Sequence, residues 1–472
     1  MNVNRDEIKQ KIKDWFDLHS DEMIADLGRL IAVNSVRGQS EEGAPFGTGS
    51  RAVLSLAESM LKEHGFDVFV FEDMVITADL GPAPPVMGIL AHLDIVAAGD
   101  GWDSDPFEMT VKDGKIYGRG ATDNKGPSIA AMYALYCARD ILPEMKNGVR
   151  VILGSAEETG LTDVAQYVKK ITTPPNLFTP DATYPVTNVE KGRLAPVFSA
   201  SWDKDTALPR IVSMTGGKTL NIVPDHAEAV IAGMEQSKAE DYCREFSAKT
   251  GVKMSVSQED DMLKITAKGI ATHAAMPEKG NNAQTALVEM LAAMPFAESK
   301  GFECIRALNR LFPHGDFLGK ALGIEMSDEK SGKLTLNFGV MRFTEYEFAG
   351  NFDSRTPACA DDMDLADIVH KALENEGITI TSHTISQCHH TPEDSVFVQS
   401  LLRIFEEYTG EKGECLIMGG QTYVHGIKGG VAFGCGMPGV NNNVHGVNEF
   451  IEVSNLIDSA KMFTQVIADM CL

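Results

Sequence analysis

The first candidate for chemistry is the pair His92 and Asp94, which directly follows an apolar segment, residues 86–91. Alternate residues of a strand face the same side, so the carboxylate of Asp94 can hold the imidazole of His92 and fix its tautomer for metal binding. A structural role for the pair stays open, because an isolated His-x-Asp is more often structural. The pattern predicts a strand that ends in a candidate metal ligand.

A second apolar segment, residues 149–154, runs into two adjacent carboxylates, Glu157 and Glu158. Glutamate pairs on protein surfaces are usually only solvated. In an α/β sheet, however, the carboxyl ends of strands gather at one edge, where His92 would also emerge. One glutamate could then bind a metal ion while its neighbour acts on a water molecule held there.

Three more residues could join this site, and each has an ordinary alternative. Asp123 follows a glycine-rich turn and precedes a predicted helix, so it could be a plain helix N-cap. Asp181 lies in a turn between prolines, where aspartate is a common turn former. His445 lies in a polar loop before the last predicted helix. The turn around Asp123 lacks the spacing and the hydroxyl of a phosphate-binding loop, which argues against a nucleotide-dependent enzyme.

Together these residues point to bound cations. Several carboxylates gathered at one sheet edge cannot all stay ionised without counter-charge. With two histidines and no Cys-x-x-Cys spacing among the eight cysteines, the donors suit zinc, manganese or cobalt, and one carboxylate could bridge two ions. The carboxylates concerned are Asp94, Asp123, Glu157, Glu158 and Asp181.

Composition limits the possible partners and the compartment. The chain has 472 residues, with 42 Lys and Arg against 67 Asp and Glu, a net charge of −25 that repels nucleic acid and anionic membranes. No segment approaches the roughly 18 to 20 apolar residues that a membrane span needs. Residues 1–30 mix charged and apolar residues at helical spacing, unlike a signal peptide, so we expect a cytoplasmic protein.

The pattern of predicted elements indicates two domains. Up to about residue 188, helical stretches alternate with short apolar strands, which favours an α/β domain with a mostly parallel, doubly wound sheet. The next part reads as an α+β insertion, and the first pattern resumes after residue 392. We therefore predict a catalytic domain formed by residues 1–191 and 388–472, with an inserted α+β domain at residues 192–387.

The ordered motifs resemble a known group of enzymes. They are His92-Leu-Asp94, Gly118-Arg-Gly120 with Asp123-Asn-Lys-Gly-Pro127, Glu157-Glu158, Pro180-Asp181-Ala182 and His445. In this order they resemble the ArgE/DapE/carnosinase superfamily of di-metal peptidases, and most closely the PepV-type bacterial dipeptidases. The resemblance spans nearly the whole chain.

The resemblance implies two divalent metal ions, zinc first, with manganese or cobalt as alternatives. It implies that Asp94 fixes His92, and that Glu157 is the general base for a water, activated by the two metals, that attacks a dipeptide. The implied ligands are His92 and Asp181 for one ion, Glu158 and His445 for the other, and Asp123 between them.

The inserted domain resembles the lid of these peptidases. The resemblance implies that His273 stabilises the oxyanion and that Arg355 binds the C-terminal carboxylate of the substrate with the help of Asn221. It also assigns Gly420 to substrate binding. An extended lid of this kind favours a monomer over a homodimer.

Two departures from the resemblance concern binding. Gln421 and His425 replace a glycine and an arginine in the loop of the relatives, which puts the contacts to the substrate carboxylate in question. Asn124 stands where many relatives have aspartate, which could change metal affinity or choice. Competing interpretations are an N-acyl-amino-acid deacylase, a succinyl-diaminopimelate desuccinylase, or a catalytically silent metal-binding scaffold.

Overall fold

The structure is a computed structural model that describes residues 5–142 and 144–472. Its α-helices are α1 (Arg5–Ile31), α2 (Thr48–Glu63), α3 (Lys125–Ile141), α4 (Thr162–Lys170), α5 (Gln236–Thr250), α6 (Ala283–Ala293), α7 (Lys300–Leu311), α8 (Leu365–Glu374), α9 (Val396–Thr409) and α10 (Val453–Cys471).

The strands, in chain order, are β1 (Val68–Phe71), β2 (Val75–Leu80), β3 (Pro85–His92), β4 (Thr110–Lys112), β5 (Lys115–Tyr117), β6 (Gly148–Gly154), β7 (Asn176–Thr179), β8 (Ala182–Thr183), β9 (Val186–Glu190), β10 (Gly192–Ser201), β11 (Arg210–Gly216), β12 (His226–Ala232), β13 (Lys253–Glu259), β14 (Met262–Lys268), β15 (Ser327–Asp328), β16 (Gly332–Lys333), β17 (Thr335–Thr344), β18 (Glu347–Thr356), β19 (Thr379–Ser386), β20 (His389–His390), β21 (Cys415–Met418), β22 (Gly430–Ala432), β23 (Cys435–Gly436) and β24 (Phe450–Glu452).

The chain divides into two compact units. One, which we call the split unit, comprises Met1–Val189 and His390–Leu472, and the other, the inserted unit, is Glu190–His389. The junctions lie two residues from the boundaries predicted at 191/192 and 387/388. Each unit has its own apolar core.

The split unit is built on a mixed sheet in the order β1-β2-β6-β3-β7-β22-β9. Its centre is parallel, since β3 pairs in parallel with both β6 and β7, and β22 pairs in parallel with β7. Antiparallel pairing at β1–β2, β2–β6 and β22–β9 flanks this centre. The α/β prediction is confirmed, and its parallel strands place their carboxyl ends at one edge.

Helices cover both faces of this sheet, as the doubly wound prediction requires. On β3, Ile89 and Ala91 face the core formed with helices α1, α3, α9 and α10, whereas Leu90 faces the opposite core beside Val164 of α4. This alternation follows from the two-residue period of a strand. Strands buried on both faces are typical of parallel sheets, which explains the apolar runs in the sequence.

The inserted unit is an antiparallel sheet with helices, an α+β arrangement. Its strand order is β13-β14-β12-β11-β17-β18-β10-β19. Apolar residues of α5, α6, α7 and α8 share one core with this sheet. Among the helices of residues 5–142 and 144–472, none combines the length and the apolar character needed to cross a membrane.

Candidate metal centre

The first group of candidate ligands lies at the carboxyl ends of two neighbouring parallel strands. His92 ends β3, and Asp181 follows β7. The Nε2 atom of His92 lies 3.0 Å from Oδ1 of Asp123 and 3.6 Å from Oδ2 of Asp181. These three residues can each offer one ligand atom within 4.8 Å of the others. Together they form a site suited to one ion.

The second group shares Asp123 with the first. The Nε2 atom of His445 lies 3.0 Å from Oδ2 of Asp123 and 3.0 Å from Oε1 of Glu158. Asp123 therefore presents one oxygen to each group, which is the arrangement expected of a carboxylate that bridges two ions. The side chain of His445 is 52% exposed, so this group is open to solvent on one side.

The N-cap alternative for Asp123 does not hold. The N-cap residue of α3 is Asn124, whose side chain makes no capping hydrogen bond. Instead, the Asn124 amide nitrogen donates to Oδ1 of Asp181 at 3.0 Å and lies 3.4 Å from the Pro180 carbonyl. Asn124, which stands where many relatives have aspartate, thus holds the candidate ligand Asp181 through an uncharged amide donor.

The carboxylate of Asp94 lies closer to the turn beyond β6 than to the imidazole it was expected to fix. Its two carboxylate oxygens accept the backbone N–H groups of Glu157 and Glu158, each at 3.1 Å. The Nδ1 atom of His92 lies 3.1 Å from the Asp94 carbonyl oxygen and 3.5 Å from its carboxylate. Asp94 therefore positions both glutamates and His92, through different atoms.

Burial and mutual repulsion make this cluster of carboxylates costly when no cation is present. Burial and the charge of Asp181 raise the pKa of Glu157 well above its usual value. Burial and the charge of Asp123 raise the pKa of Glu158 to about 7, and the same two causes raise the pKa of Asp181. Positive charge placed among these residues would favour their ionised forms.

The same carboxylates raise the pKa values of the two histidines. Hydrogen bonds to Asp123 and Glu158 raise the pKa of His445 to about 11. Burial by itself lowers the pKa of His92, but its carboxylate neighbours, first among them Asp181, raise it well above 6.5. Without a metal, protons thus supply the positive charge that the carboxylates require.

Two residues that were not predicted from the sequence, Asp163 and Tyr423, hold the backbone at the end of β6. Asp163 is buried and accepts the backbone N–H groups of Ser155 and Ala156 at 2.6 and 3.0 Å. The hydroxyl of Tyr423 donates to the same carboxylate at 2.6 Å. The turn that carries Glu157 is therefore fixed on two sides. An acidic residue placed just after the glutamate pair was the available signal.

The loop that departs from the relatives has its two unusual residues side by side. Gln421 Nε2 and His425 Nε2 lie 3.2 Å apart. Gly420, predicted to contact substrate, is partly exposed in the same loop. The substrate-binding role of this loop stays a prediction.

In the inserted unit, two of the predicted residues lie on two exposed segments that are hydrogen-bonded to each other. His273 and Asn221 are both exposed, and the N–H of Ala274 donates to the Asn221 carbonyl at 2.8 Å. The Nδ1 atom of His273 accepts the N–H of Ala275 at 3.2 Å. This hydrogen bond fixes the ring orientation while the side chain remains accessible.

Arg355 differs from His273 in that it is buried. Its Nη2 atom donates to Oδ2 of Asp353 at 2.8 Å, and Asp353 also accepts from Nε of Arg193 at 2.8 Å. The guanidinium is thus held in a fixed position on β18. Its role toward a substrate carboxylate stays a prediction.

The fold and the paired ligand groups define a class: a metal-dependent hydrolase with a two-part α/β catalytic unit. Comparison with known proteins makes this specific. The chain belongs to peptidase family M20/M25/M40, whose model matches residues 88–469. It is therefore a metallopeptidase, and the predicted superfamily is confirmed.

Relatives of similar length have related names. The chain is 32% identical over 455 residues to a Bacillus subtilis (strain 168) protein named "Putative dipeptidase YtjP", covering 95% of this chain and 97% of that protein. It is 29% identical over 480 residues to "Putative dipeptidase SAB1611c" of Staphylococcus aureus (strain bovine RF122 / ET3-1), covering 98% and 99% of the two chains.

Solved structures share the fold. Human carnosine dipeptidase 1 matches with a TM-score of 0.57 at 17% identity, over 98% of both chains. The dipeptidase Dug1p from Saccharomyces cerevisiae matches with a TM-score of 0.57 at 14% identity, over 99% of both chains. At these identities the likeness concerns the fold alone, and it supports the predicted combination of a catalytic part with an inserted domain.

Proposed function

We propose that this metallopeptidase hydrolyses dipeptides with two divalent metal ions and with Glu157 as the general base. The observation that carries the proposal is the pair of ligand groups that share Asp123, each with one histidine and one further carboxylate. The residues fit the ions chemically, because imidazoles and carboxylates are the donors that zinc, manganese and cobalt accept. They also fit electrostatically, since two divalent cations would offset the mutual repulsion of these half-buried carboxylates.

One ion would be held by His92 and Asp181, the other by Glu158 and His445, with Asp123 between them. When bound, two divalent ions lower the pKa of a water molecule and polarise the peptide carbonyl. We favour zinc, with manganese or cobalt as substitutes, on the donor set alone.

In this proposal Glu157 takes the proton from the attacking water and delivers it to the leaving amine. Burial and the charge of Asp181 raise the pKa of Glu157 when no cation is bound, and bound cations would favour the ionised form that can accept a proton. The hydrogen bond from its own N–H to Asp94 fixes its backbone, so the side chain starts from a defined position. A positioned general base contributes roughly 10²- to 10⁴-fold in rate.

We propose that the inserted unit supplies the remaining groups. His273 would stabilise the oxyanion that forms at the peptide carbonyl, and its ring orientation, fixed by the Ala275 N–H, supports that role. Arg355, with Asn221 and Gly420, would bind the substrate's terminal carboxylate, for which a guanidinium held by Asp353 is suited. We further propose a cytoplasmic monomer.

The decisive experiment is hydrolysis of a dipeptide panel, alongside N-acetyl and N-succinyl amino acids, by metal-stripped protein supplied with Zn²⁺ or Mn²⁺. Glu157→Ala is the test variant, and Glu298→Gln, a surface glutamate paired with Arg306, is the control. We expect metal-restored dipeptide cleavage in the wild type and the control but not in Glu157→Ala.

Other outcomes would contradict parts of the proposal. Cleavage confined to acylated amino acids would replace the dipeptidase assignment by a deacylase or desuccinylase. Full activity of Glu157→Ala would remove the general-base role. An absence of metal-dependent turnover on all substrates would leave the silent scaffold as the better interpretation.

A further inference from the structure

A buried ion pair joins the two loops that carry Asp123 and His445. Glu449, four residues after His445, is fully buried, and its Oε2 atom accepts Nη1 of Arg119 at 2.6 Å. The guanidinium of Arg119 is equally buried, with a relative exposure of 1%. The two residues are separated by 330 positions in the sequence, so the pair is a tertiary connection.

Glu449 holds the loop of the bridging carboxylate by its backbone. Its Oε1 atom accepts the N–H groups of Thr122 and Asp123 at 2.9 and 3.0 Å, and its Oε2 atom accepts that of Gly120 at 3.1 Å. A carboxylate that accepts several N–H groups fixes their relative positions more firmly than a neutral side chain can. The backbone that presents Asp123 is therefore determined by Glu449.

Arg119 holds the other loop. Its Nη2 atom donates to the carbonyl of Gly446, the residue after His445, at 2.9 Å, and lies 3.3 Å from the carbonyl of Ala98. The guanidinium also packs over the ring of Trp102, 5.2 Å from its centroid. The planar guanidinium of Arg119 thus connects Glu449 with the backbone beside His445. A lysine ammonium cannot reproduce this geometry.

The surrounding strands bring the two loops together. β24 pairs antiparallel with β5, with Phe450 opposite Tyr117, so one loop follows β5 directly and the other directly precedes β24. The Thr122 hydroxyl donates to the Phe450 carbonyl at 2.5 Å, which extends the connection. The ion pair lies at the point where both loops leave this ladder.

We propose that Glu449 and Arg119 are positioning residues that set the geometry of the second ligand group, and thereby its metal affinity. The inference rests on the proposed function, since it requires that two ions bind. Glu449 holds the loop of Asp123, which both groups share, whereas Arg119 donates directly to the His445 loop and supports the Asp123 loop through its pair with Glu449. Loss of Glu449 therefore lowers the affinity for both ions. Loss of the Arg119 guanidinium mainly lowers the affinity for the ion held with His445.

The test is metal binding by metal-free protein, measured by calorimetry with Zn²⁺ against a competing chelator. The variant His445→Ala identifies which binding step belongs to the second group. In Arg119→Lys we expect that step to weaken about 10- to 100-fold, the range typical when groups that orient metal ligands are altered, and the other step to weaken less. In Glu449→Gln we expect both steps to weaken.

The matched control is Arg150→Lys. Arg150 also forms a two-point ion pair in the split unit, with Asp79 at 2.7 Å for both contacts, but it touches neither ligand loop. We expect its two metal affinities to equal those of the wild type. Activity of Arg119→Lys should recover when excess Zn²⁺ is supplied, which a general loss of folding would not allow.

Each result decides between the proposals. If the wild type shows two binding steps and both variants bind the ions with the same affinities as the wild type, the positioning role is refuted. The proposed function then stands. A wild type that binds no second ion would overturn both. Should the variants fail to fold, hydrogen exchange of metal-free wild type decides: the amides of residues 120, 122 and 123 should be protected, and exchange at the rate of an unfolded peptide would refute the inference.

Discussion

Asp353 of the inserted unit and the candidate site of the split unit hold their carboxylates in opposite ways. In the inserted unit, Asp353 is fully buried but is paired with two arginines, at 2.8 Å each. In the split unit, burial and neighbouring negative charges raise the pKa values of Glu157 and Glu158. Asp353 therefore has its counter-charge in neighbouring arginines, whereas the carboxylates of the candidate site would gain further positive charge from bound cations. We expect the first arrangement to stabilise the fold and the second to lower its stability when no cation is bound.

The same contrast holds at Asp328 in the inserted unit. Its carboxylate accepts the N–H groups of Lys330, Ser331 and Cys359 at 2.7 to 2.9 Å. Although burial alone would raise its pKa, these hydrogen bonds lower it to about 2. Ionisation is thus favoured there by the protein itself, without a metal.

The largest expected effect is on activity, in Glu157→Gln. We expect kcat to fall about 10²- to 10⁴-fold because the general base is lost. Because a buried, repelled carboxylate is removed, the metal-free melting temperature should stay the same or rise. Steady-state kinetics and thermal unfolding of the metal-free variant measure the two quantities, and a clear loss of stability would contradict the contrast between the units.

For Asp353→Asn we expect a loss of stability with unchanged metal binding. Removal of one partner from a buried ion pair costs about 3 to 5 kcal/mol, because the remaining charge is left without compensation. We expect denaturant unfolding of the inserted unit to shift by this amount while both metal affinities stay unchanged. The control is Asp367→Asn, which breaks an exposed pair with Lys371 and should leave the free energy of unfolding nearly unchanged.

Metal removal should affect the two units unequally. A ligand at 100 times its dissociation constant stabilises the folded state by about 2.7 kcal/mol, and chelation removes that contribution. We expect hydrogen exchange to increase in peptides around Asp123, Glu158 and His445 but not in the inserted unit. Equal increases in both units would show that the inserted unit also depends on the ions.

The smallest effect is the pH dependence of metal-free stability, and its sign differs between the units. The pKa of Glu158 is raised from 4.5 to about 7, so the folded split unit binds more protons and loses stability as pH rises from 4.5 through 7. The pKa of Asp328 is lowered from 3.8 to about 2, so its contribution is present above 3.8 and is lost as pH falls through 2. Urea unfolding followed separately in each unit, with Glu158→Gln and Asp328→Asn for comparison, measures both slopes.

Much of the fold could be read from local patterns. The apolar runs at 86–91 and 149–154 lie in β3 (Pro85–His92) and β6 (Gly148–Gly154). These elements are strongly apolar or periodic, so neighbours in sequence suffice to define them. The edge of a parallel sheet then predicts that His92 and Glu158 approach each other.

The supporting contacts could not be predicted in this way. Glu449 and Arg119 are far apart in sequence, and their types alone suggest two solvated surface charges. Tyr423 and Asp163 are likewise joined only by the fold, over 260 positions. Asp94 was assigned to His92 from strand periodicity, but backbone N–H groups of the next strand end compete for the same carboxylate. Such competition depends on the register between strands.

The position of β22 in the sheet has a consequence for synthesis on the ribosome. β22 lies between β7 and β9, although it follows them by the whole inserted unit. The inserted unit is contiguous in sequence and can fold as soon as residue 389 has emerged, whereas the first sheet stays open until its last strands arrive. Its unpaired strands are exposed during that interval, and long-range pairing of this kind is slow. Because His445 belongs to this later segment, the nascent chain cannot assemble its second ligand group before residue 445 has emerged.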